Sequence, residues 1–250
     1  MTVCWLATAT YEEVAALDRS RAVAIVPLGA TEAHGPHLPL STDVIIVEAM
    51  ARAGAERLSR QGATAVVLPS VALTPAPFAA AFPGTLGIRA ATLVALLEDV
   101  ADGLSAQGFT RLVVVSAHLD PEHLGAVTDA VETIRADGMR VAFPNLSRKP
   151  WSGQLGEEFQ TGACHAGRFE TSIVMAERPE LVRDIRTELP PNPNSLSVAI
   201  RAGQTTFAEA GGPRAYFGWP ADATAEEGRA LIETLGAILE AAALPLLKDD

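Results

Sequence analysis

Aromatic residues are scarce in this chain. They make up 5% of 250 positions, so the interior has to be built mainly from Ala, Val, Leu and Ile. Cysteine is nearly absent: Cys4 and Cys164 stand alone, without CxxC spacing. That excludes a disulfide framework or a thiolate cage and fits two free thiols in a reducing compartment. Positive charge is short as well, with 19 basic residues against 30 acidic ones and a formal net charge of −11. A field of that sign repels a phosphate backbone, which argues against nucleic acid as a partner. No GxGxxG follows the first apolar run and no GxxxxGK occurs, so the phosphate-cradling loops of nucleotide-binding folds are missing. No uninterrupted apolar run is read as long enough to cross a bilayer, and no membrane partner is expected. The opening MTVCWLATATYEEV lacks a basic segment followed by an apolar core, which predicts a cytoplasmic protein.

What is present is alternation. Hydrophobic residues reach 48% and charged residues 20%, and 250 residues suffice for one substantial core, so residues 1–250 are expected to form a single domain. Thr10 with Glu13 forms a capping-box pattern for a helix over 10–20. The run AVAIVPLG at 22–29 reads as a buried strand, 44–61 as a helix stopped by Gly62, and 64–71 as a second strand. Residues 72–90 form a long Pro- and Gly-containing loop in which Phe78 and Phe82 either cover a mouth or anchor the core. A helix over 91–107, a strand over 110–117, a helix over 124–136 and a strand over 139–143 follow. Residues 144–163 read as a loop. The β-branched content after His165 predicts a strand beginning near Glu170, and a short strand is expected at 197–199. Asp222 or Thr224 caps a closing helix. Strand–helix–strand repetition of this kind predicts an α/β fold with a mostly parallel sheet.

The chemistry concentrates at two strand ends. Glu32, His34, His37 and Asp43 lie within twelve positions, just after the first strand, among glycines and prolines that prevent a continuous helix. Glu32 and His34 project to one side of an extended backbone, and Asp43 has to fold back towards them. The bland alternative is a polar turn in which Thr42 or Asp43 merely caps the next helix. His118 and Asp120 repeat the carboxylate–imidazole pairing after the strand at 110–117. Glu32, His34, Asp43, His118 and Asp120 give five candidate metal ligands, more than one catalytic zinc takes from protein, so two ions with a bridging carboxylate are expected. Such donors suit zinc, manganese or iron. His165, beside Ala166 and Gly167, is the candidate general acid or base, and Glu170 either completes the ligand shell or orients a ligand.

The blocks ATEAHGPHLPLSTD at 30–43, FPGTLG at 82–87, HLD at 118–120, HAGRFETS at 165–172 and GPRAYFGWPADATAEEG at 212–228 together resemble the creatininase family. The likeness spans nearly the whole chain. It implies a three-layer α-β-α sandwich and a binuclear divalent metal centre that hydrolyses an amide or related C–N bond. On matching positions it implies metal roles for Glu32, His34, Asp43, His118 and Asp120, and a catalytic role for His165. It also implies a homo-oligomer, often a hexamer. Two departures bear on substrate: SAHLDPEH replaces a Gly- and Asn-rich continuation, and Asp120 stands where the creatinine-hydrolysing branch has glutamate. The HAGR segment is also similar to the branch that trims a peptide in mycofactocin maturation.

The expectation is therefore a hydrolase of carbon–nitrogen bonds other than standard protein peptide bonds, acting on a small amide, lactam or formamide. The alternatives are a peptidase for a modified peptide and an inactive protein stabilised by metal. Trp151 and Trp219 are candidate walls for a planar substrate or contacts between subunits. Arg168 is expected to pair with an acidic substrate group or with Glu170.

Overall fold

Strands buried on both faces read as unbroken apolar runs, and those runs build the centre of this structure. The computed structural model describes residues 2–248. Strands β1 (Thr2–Trp5), β2 (Ala22–Leu28), β3 (Thr64–Val67), β4 (Arg111–Ser116) and β5 (Arg140–Ala142) form one sheet in the order β1-β3-β2-β4-β5, every pair parallel. Along β2 the side chains alternate between two cores. Val23 and Ile25 join the core beneath α2 (Thr42–Arg60), α6 (Arg168–Glu177) and α8 (Ala225–Ala243). Ala22, Ala24, Val26 and Leu28 join the core beneath α3 (Ala90–Ala106) and α4 (Pro121–Ala136). The result is the expected three layers, helix, sheet and helix.

Strand order fixes where a ligand sits. From β2 the chain crosses by α2 to β3 on one side, then returns by α3 to β4 on the other side of β2. The neighbours β2 and β4 thus send their exits to helices on opposite faces. Such a switch point leaves a crevice at the carboxyl ends of the strands.

Several local expectations are corrected. Residues 168–177 form the helix α6, not a strand. Phe169, Glu170, Thr171, Ser172, Ile173 and Val174 are all buried there, so the segment lacks the polar face that marks an amphipathic helix. It lies so close to α8 that a Cβ on Gly228 would collide with the Ser172 carbonyl. Residues 197–199 belong to the short helix α7 (Leu196–Arg201), capped by the Ser195 side chain. The stretch 144–163 contains a helical turn at Ser152–Gln154 and the helix α5 (Gly156–Thr161). Strand β1 lies outside the sequence expectation, and α1 (Tyr11–Ala15) is shorter than the expected helix, although its Thr10–Glu13 capping box is present. Finally, Ala225–Leu247 is long and apolar enough by composition to cross a bilayer, contrary to the sequence expectation. Here Leu231, Ile232, Leu235, Ile238 and Leu239 of this segment are core side chains packed with α2 and α6.

Candidate metal centre

The loop leaving β2 is held in place by its own backbone and by the FPGT turn. Glu32 N–H donates to the Leu40 carbonyl at 3.0 Å, which closes the loop and returns the chain to Asp43 at the start of α2. Thr85 Oγ1 accepts from Ala33 N–H at 3.1 Å, and Leu86 N–H donates to the Thr31 carbonyl at 2.9 Å. Gly29 makes the tight exit possible, because a Cβ there would lie 2.7 Å from Val44 N. Asp43 occupies the first turn of α2, where the helix dipole favours an anion.

Three imidazoles converge on these carboxylates, and each is oriented by a backbone carbonyl. His34 Nδ1 faces the Glu32 carbonyl at 3.1 Å, His118 Nε2 the Pro75 carbonyl at 2.8 Å, and His165 Nε2 the Ala33 carbonyl at 2.9 Å. A carbonyl only accepts, so those nitrogens carry protons, and the opposite nitrogens point inward at the carboxylates. His34 Nε2 lies 3.2 Å from Asp43 Oδ1, 3.5 Å from Glu170 Oε2 and 3.9 Å from Glu32 Oε1. His118 Nδ1 lies 3.1 Å from Asp43 Oδ2 and 3.3 Å from Glu32 Oε1, and His165 Nδ1 lies 3.8 Å from Glu32 Oε1. These atoms compose three ligand groups: Glu32–His34–His165, Glu32–Asp43–His118 and His34–Asp43–Glu170. Glu32 and Asp43 each belong to two of them.

The donor set fits divalent ions. Ligands bonded at about 2.0–2.2 Å to a common ion sit roughly 3.0–3.6 Å apart, which is the spacing of most of these contacts. His34 Nε2, Glu32 Oε2 and Asp43 Oδ2 are buried with no hydrogen-bond partner, a costly state unless a cation meets them. Electrostatics say the same. Burial drives the His34 imidazole down, but Asp43, Glu170 and Glu32 together outweigh it and raise its pKa to about 10. Burial likewise lowers His118, and Glu32 and Asp43 overcome that effect and leave it well above its ordinary value. In each case positive charge is drawn to the point the carboxylates surround. Burial, more than its charged neighbours, raises Glu170 to about 8 and, reinforced by His34, lowers His165 to about 4.

Not every expected residue joins the cluster. Asp120 caps α4: Oδ1 accepts from Glu122 N–H at 2.8 Å and Oδ2 from Phe78 N–H at 3.2 Å. It lines the cavity but stands outside the three groups, and Glu170 supplies the carboxylate beside His34. Glu170 Oε2 also accepts from Ala166 N–H at 2.6 Å. His37 and His123 are fully buried supports. His37 Nε2 meets Thr171 Oγ1 at 3.0 Å, and His123 Nε2 meets Ser116 Oγ at 2.8 Å, directly behind the loop that bears His118.

A cavity of about 400 Å³ opens from the cluster. Phe78, Phe159 and Phe207 line it, with Phe207 tilted against the His165 ring at 4.2 Å between centroids. Phe82 is in the core cluster around Phe207. The three expected pocket residues are elsewhere. Trp151 packs half-buried on the core under α8. Trp219 and Arg168 border a separate, smaller cleft, where Arg168 Nε lies 3.1 Å from Glu227 Oε1 rather than near Glu170 or the metal-ligand cluster. Sequence reasoning missed Glu158, whose buried carboxylate accepts from the N–H groups of Arg168, Phe169 and Trp219 at 2.8, 2.7 and 2.8 Å. It caps α6 from outside that helix, a link without a local sequence signal.

Fold and site together define a metal-dependent hydrolase with a place for two divalent ions. The sequence model of the family described as creatininase, creatinine amidohydrolase, matches residues 7–243, and the chain belongs to that family. It is 32% identical over 223 residues to the mycofactocin precursor peptide peptidase of Mycobacterium tuberculosis, covering 84% of this chain and 80% of the relative. It is 27% identical over 180 residues to the creatinine amidohydrolase of Pseudomonas putida, covering 64% of this chain and 66% of the relative. A Bacteroides fragilis protein provisionally assigned as a creatinine amidohydrolase shares the fold at a TM-score of 0.75 and 27% identity, with 99% and 97% of the two chains covered.

Proposed function

We propose that this chain hydrolyses a C–N bond in a peptide-like substrate, with Glu32, His34, Asp43, His118 and Glu170 as metal ligands and His165 as the proton-transfer group. The observation that carries this reading is Asp43. Its two oxygens face two different histidines, at 3.2 and 3.1 Å, an arrangement that would let one carboxylate serve two ions. Zinc, manganese or iron bound there supplies an acidified water and a Lewis acid for the amide carbonyl.

The protein's own contribution is orientation and proton handling. The carbonyls of Glu32, Pro75 and Ala33 hold the three rings so that the lone pairs face inward without reorganisation. The inward Nδ1 of His165 takes a proton from the attacking water and returns it to the departing amine. Asp120, engaged by two N–H groups, serves as a brace between α4 and the loop at Phe78. A peptide substrate is supported by the mycobacterial relative, which is matched over more of the chain and at higher identity than the creatinine amidohydrolase. A small cyclic amide is the second reading, favoured by the family description and the Pseudomonas relative.

The test is metal counting followed by a substrate panel. About two divalent ions per chain with turnover of short peptides supports the first reading, and turnover of lactams alone supports the second. Retained metal without turnover of peptides, lactams or formamides would instead identify a metal-stabilised binding protein.

A further inference from the structure

The cavity that holds Glu32, Asp43, His118, His165 and Glu170 also carries Lys149 and Arg201 on its wall. Lys149 lies in the segment between β5 and α5, Arg201 ends α7, and both side chains are exposed. Two cations lining the same cavity stand out in a chain of net charge −11. Four cations outside the cavity pair with carboxylates: Arg52 with Glu177, Arg57 with Glu240, Arg168 with Glu227 and Arg178 with Glu180. Among the described residues, no carboxylate lies within ion-pair distance of Lys149 or Arg201. The acidic groups of the cavity have other partners. Glu32, Asp43 and Glu170 face imidazoles, and Asp120 is taken by two backbone N–H groups. Phe78, Leu196, Ile200 and Phe207 supply apolar wall in the same cavity.

We infer that the substrate carries a carboxylate, bound by Lys149 and Arg201, with an apolar group beside it and its amide at the metal-ligand cluster. This names a substrate class for the hydrolase reading above and rests on it. The Arg201 guanidinium can grip a carboxylate with two parallel N–H donors, while Lys149 acts as a point charge. Apolar walls limit the screening that weakens such a pair in open water. The carboxylate belongs either to the C-terminus of a peptide or to the acid group of a small amide.

The experiment uses metal-loaded protein and hydroxamates, which chelate the metal centre without being hydrolysed. Succinic, glutaric and adipic monohydroxamic acids each carry a terminal carboxylate at a different reach, and each is paired with its terminal carboxamide. Calorimetry compares wild type with Arg201→Gln, Lys149→Gln and the double variant. At one chain length wild type should prefer the carboxylate by about tenfold or more, as a charge-assisted contact gives over a neutral one. Each single variant should shrink that ratio, the double variant should bring it to about one, and added salt should lower it in wild type. Equal binding of acid and carboxamide at every length, or a ratio that survives in the double variant, overturns the inference and leaves the metal centre standing. If no hydroxamate binds the loaded protein more tightly than the metal-free protein, the hydrolase reading itself fails and the inference with it. Hydrolysis of acyl-dipeptides with free or amidated C-termini, beside a carboxy-lactam and its amide, assigns the source. Faster cleavage of the free-acid peptide identifies the C-terminus, and faster opening of the acid lactam identifies the small molecule.

Discussion

The cavity has two kinds of wall. One is made where β2 and β4 end, and its polar side chains are buried: Glu32, His34, Asp43 and His118 are each no more than 3% exposed. Each histidine there is held from behind by a carbonyl, and the loop is closed on itself by the Glu32–Leu40 backbone bond. The other wall comes from residues 147–162 and 196–207, with short helices and exposed polar side chains such as Lys149 and Arg201. The contrast has a physical reason. Donors aimed at a shared cation lose their use if they rotate, so they sit on rigid strand ends, whereas a recognition surface tolerates adjustment to its ligand.

The largest effect should come from breaking the first wall at its centre. Asp43→Asn keeps the shape but removes the charge that two ligand groups share. Metal content, read by elemental analysis, should fall at both sites, and kcat/KM should drop on the order of 10⁴-fold, as for a residue that acts as part of a unit. One ion retained per chain with measurable turnover would mean that Asp43 serves a single site.

The junction of the two walls is sharpened by comparing His118 with His165. His118→Ala should lose metal and turnover together, because its Nδ1 faces both Glu32 and Asp43. Among the carboxylates His165 Nδ1 faces Glu32 alone, at 3.8 Å, and its ring stacks on Phe207 from the opposite wall. His165→Ala should keep most of the metal while kcat falls about 10²- to 10⁴-fold, the range for a general acid or base. Equal metal loss in both variants erases the distinction.

These two walls were not equally legible in the sequence. The first was, because its carboxylates and imidazoles cluster directly after apolar runs, and because strands buried on both faces leave a signal that composition cannot hide. Asp43's return depends on the Glu32–Leu40 bond, which has no signature in the sequence, although the place of Asp43 beside Glu32 and His34 has one. The spacing of Asp120 from His118 suggests a ligand, but a residue two positions on can equally turn to cap the next helix, and it does. The second wall depends on contacts distant in sequence. The β-branched content of α6 pointed to a strand, and the carboxylate that caps it arrives from Glu158, ten residues earlier. Lys149 and Arg201 are 52 residues apart and share no local pattern. Trp151 and Trp219 drew attention by size, and size alone does not say which cavity a ring faces.

Glu158 gives the intermediate prediction, since it ties α5 to α6 and to the segment at Trp219. Glu158→Ala strands three N–H groups around a buried site, and each unsatisfied donor is expensive. The loss of stability should be about 3 kcal/mol, measured by urea unfolding of the metal-loaded protein. Glu158→Gln keeps one acceptor oxygen and should cost less. If alanine were as mild as glutamine, the hub would not be holding α6, and Glu170 would owe its position to the Ala166 bond and to packing against α2 and α8.

The smallest effect is expected at Arg168, and it tests the boundary of the second wall. This residue begins α6, two positions before Glu170, and its sequence neighbourhood suggests contact with substrate. In the structure its guanidinium borders the lesser cleft with Trp219, 3.1 Å from Glu227, and does not line the cavity. Both partners are about one-third exposed, which leaves the pair largely screened by water. Arg168→Ala should therefore change stability by no more than about 1 kcal/mol, and kcat/KM by less than about twofold. Its backbone N–H, which donates to Glu158, survives the substitution, so the cap on α6 stays in place. A KM that rises with an unchanged metal count would place Arg168 on the substrate path and extend the recognition wall into the second cleft. An unchanged KM confines recognition to the cavity that Lys149 and Arg201 share with the ligand cluster.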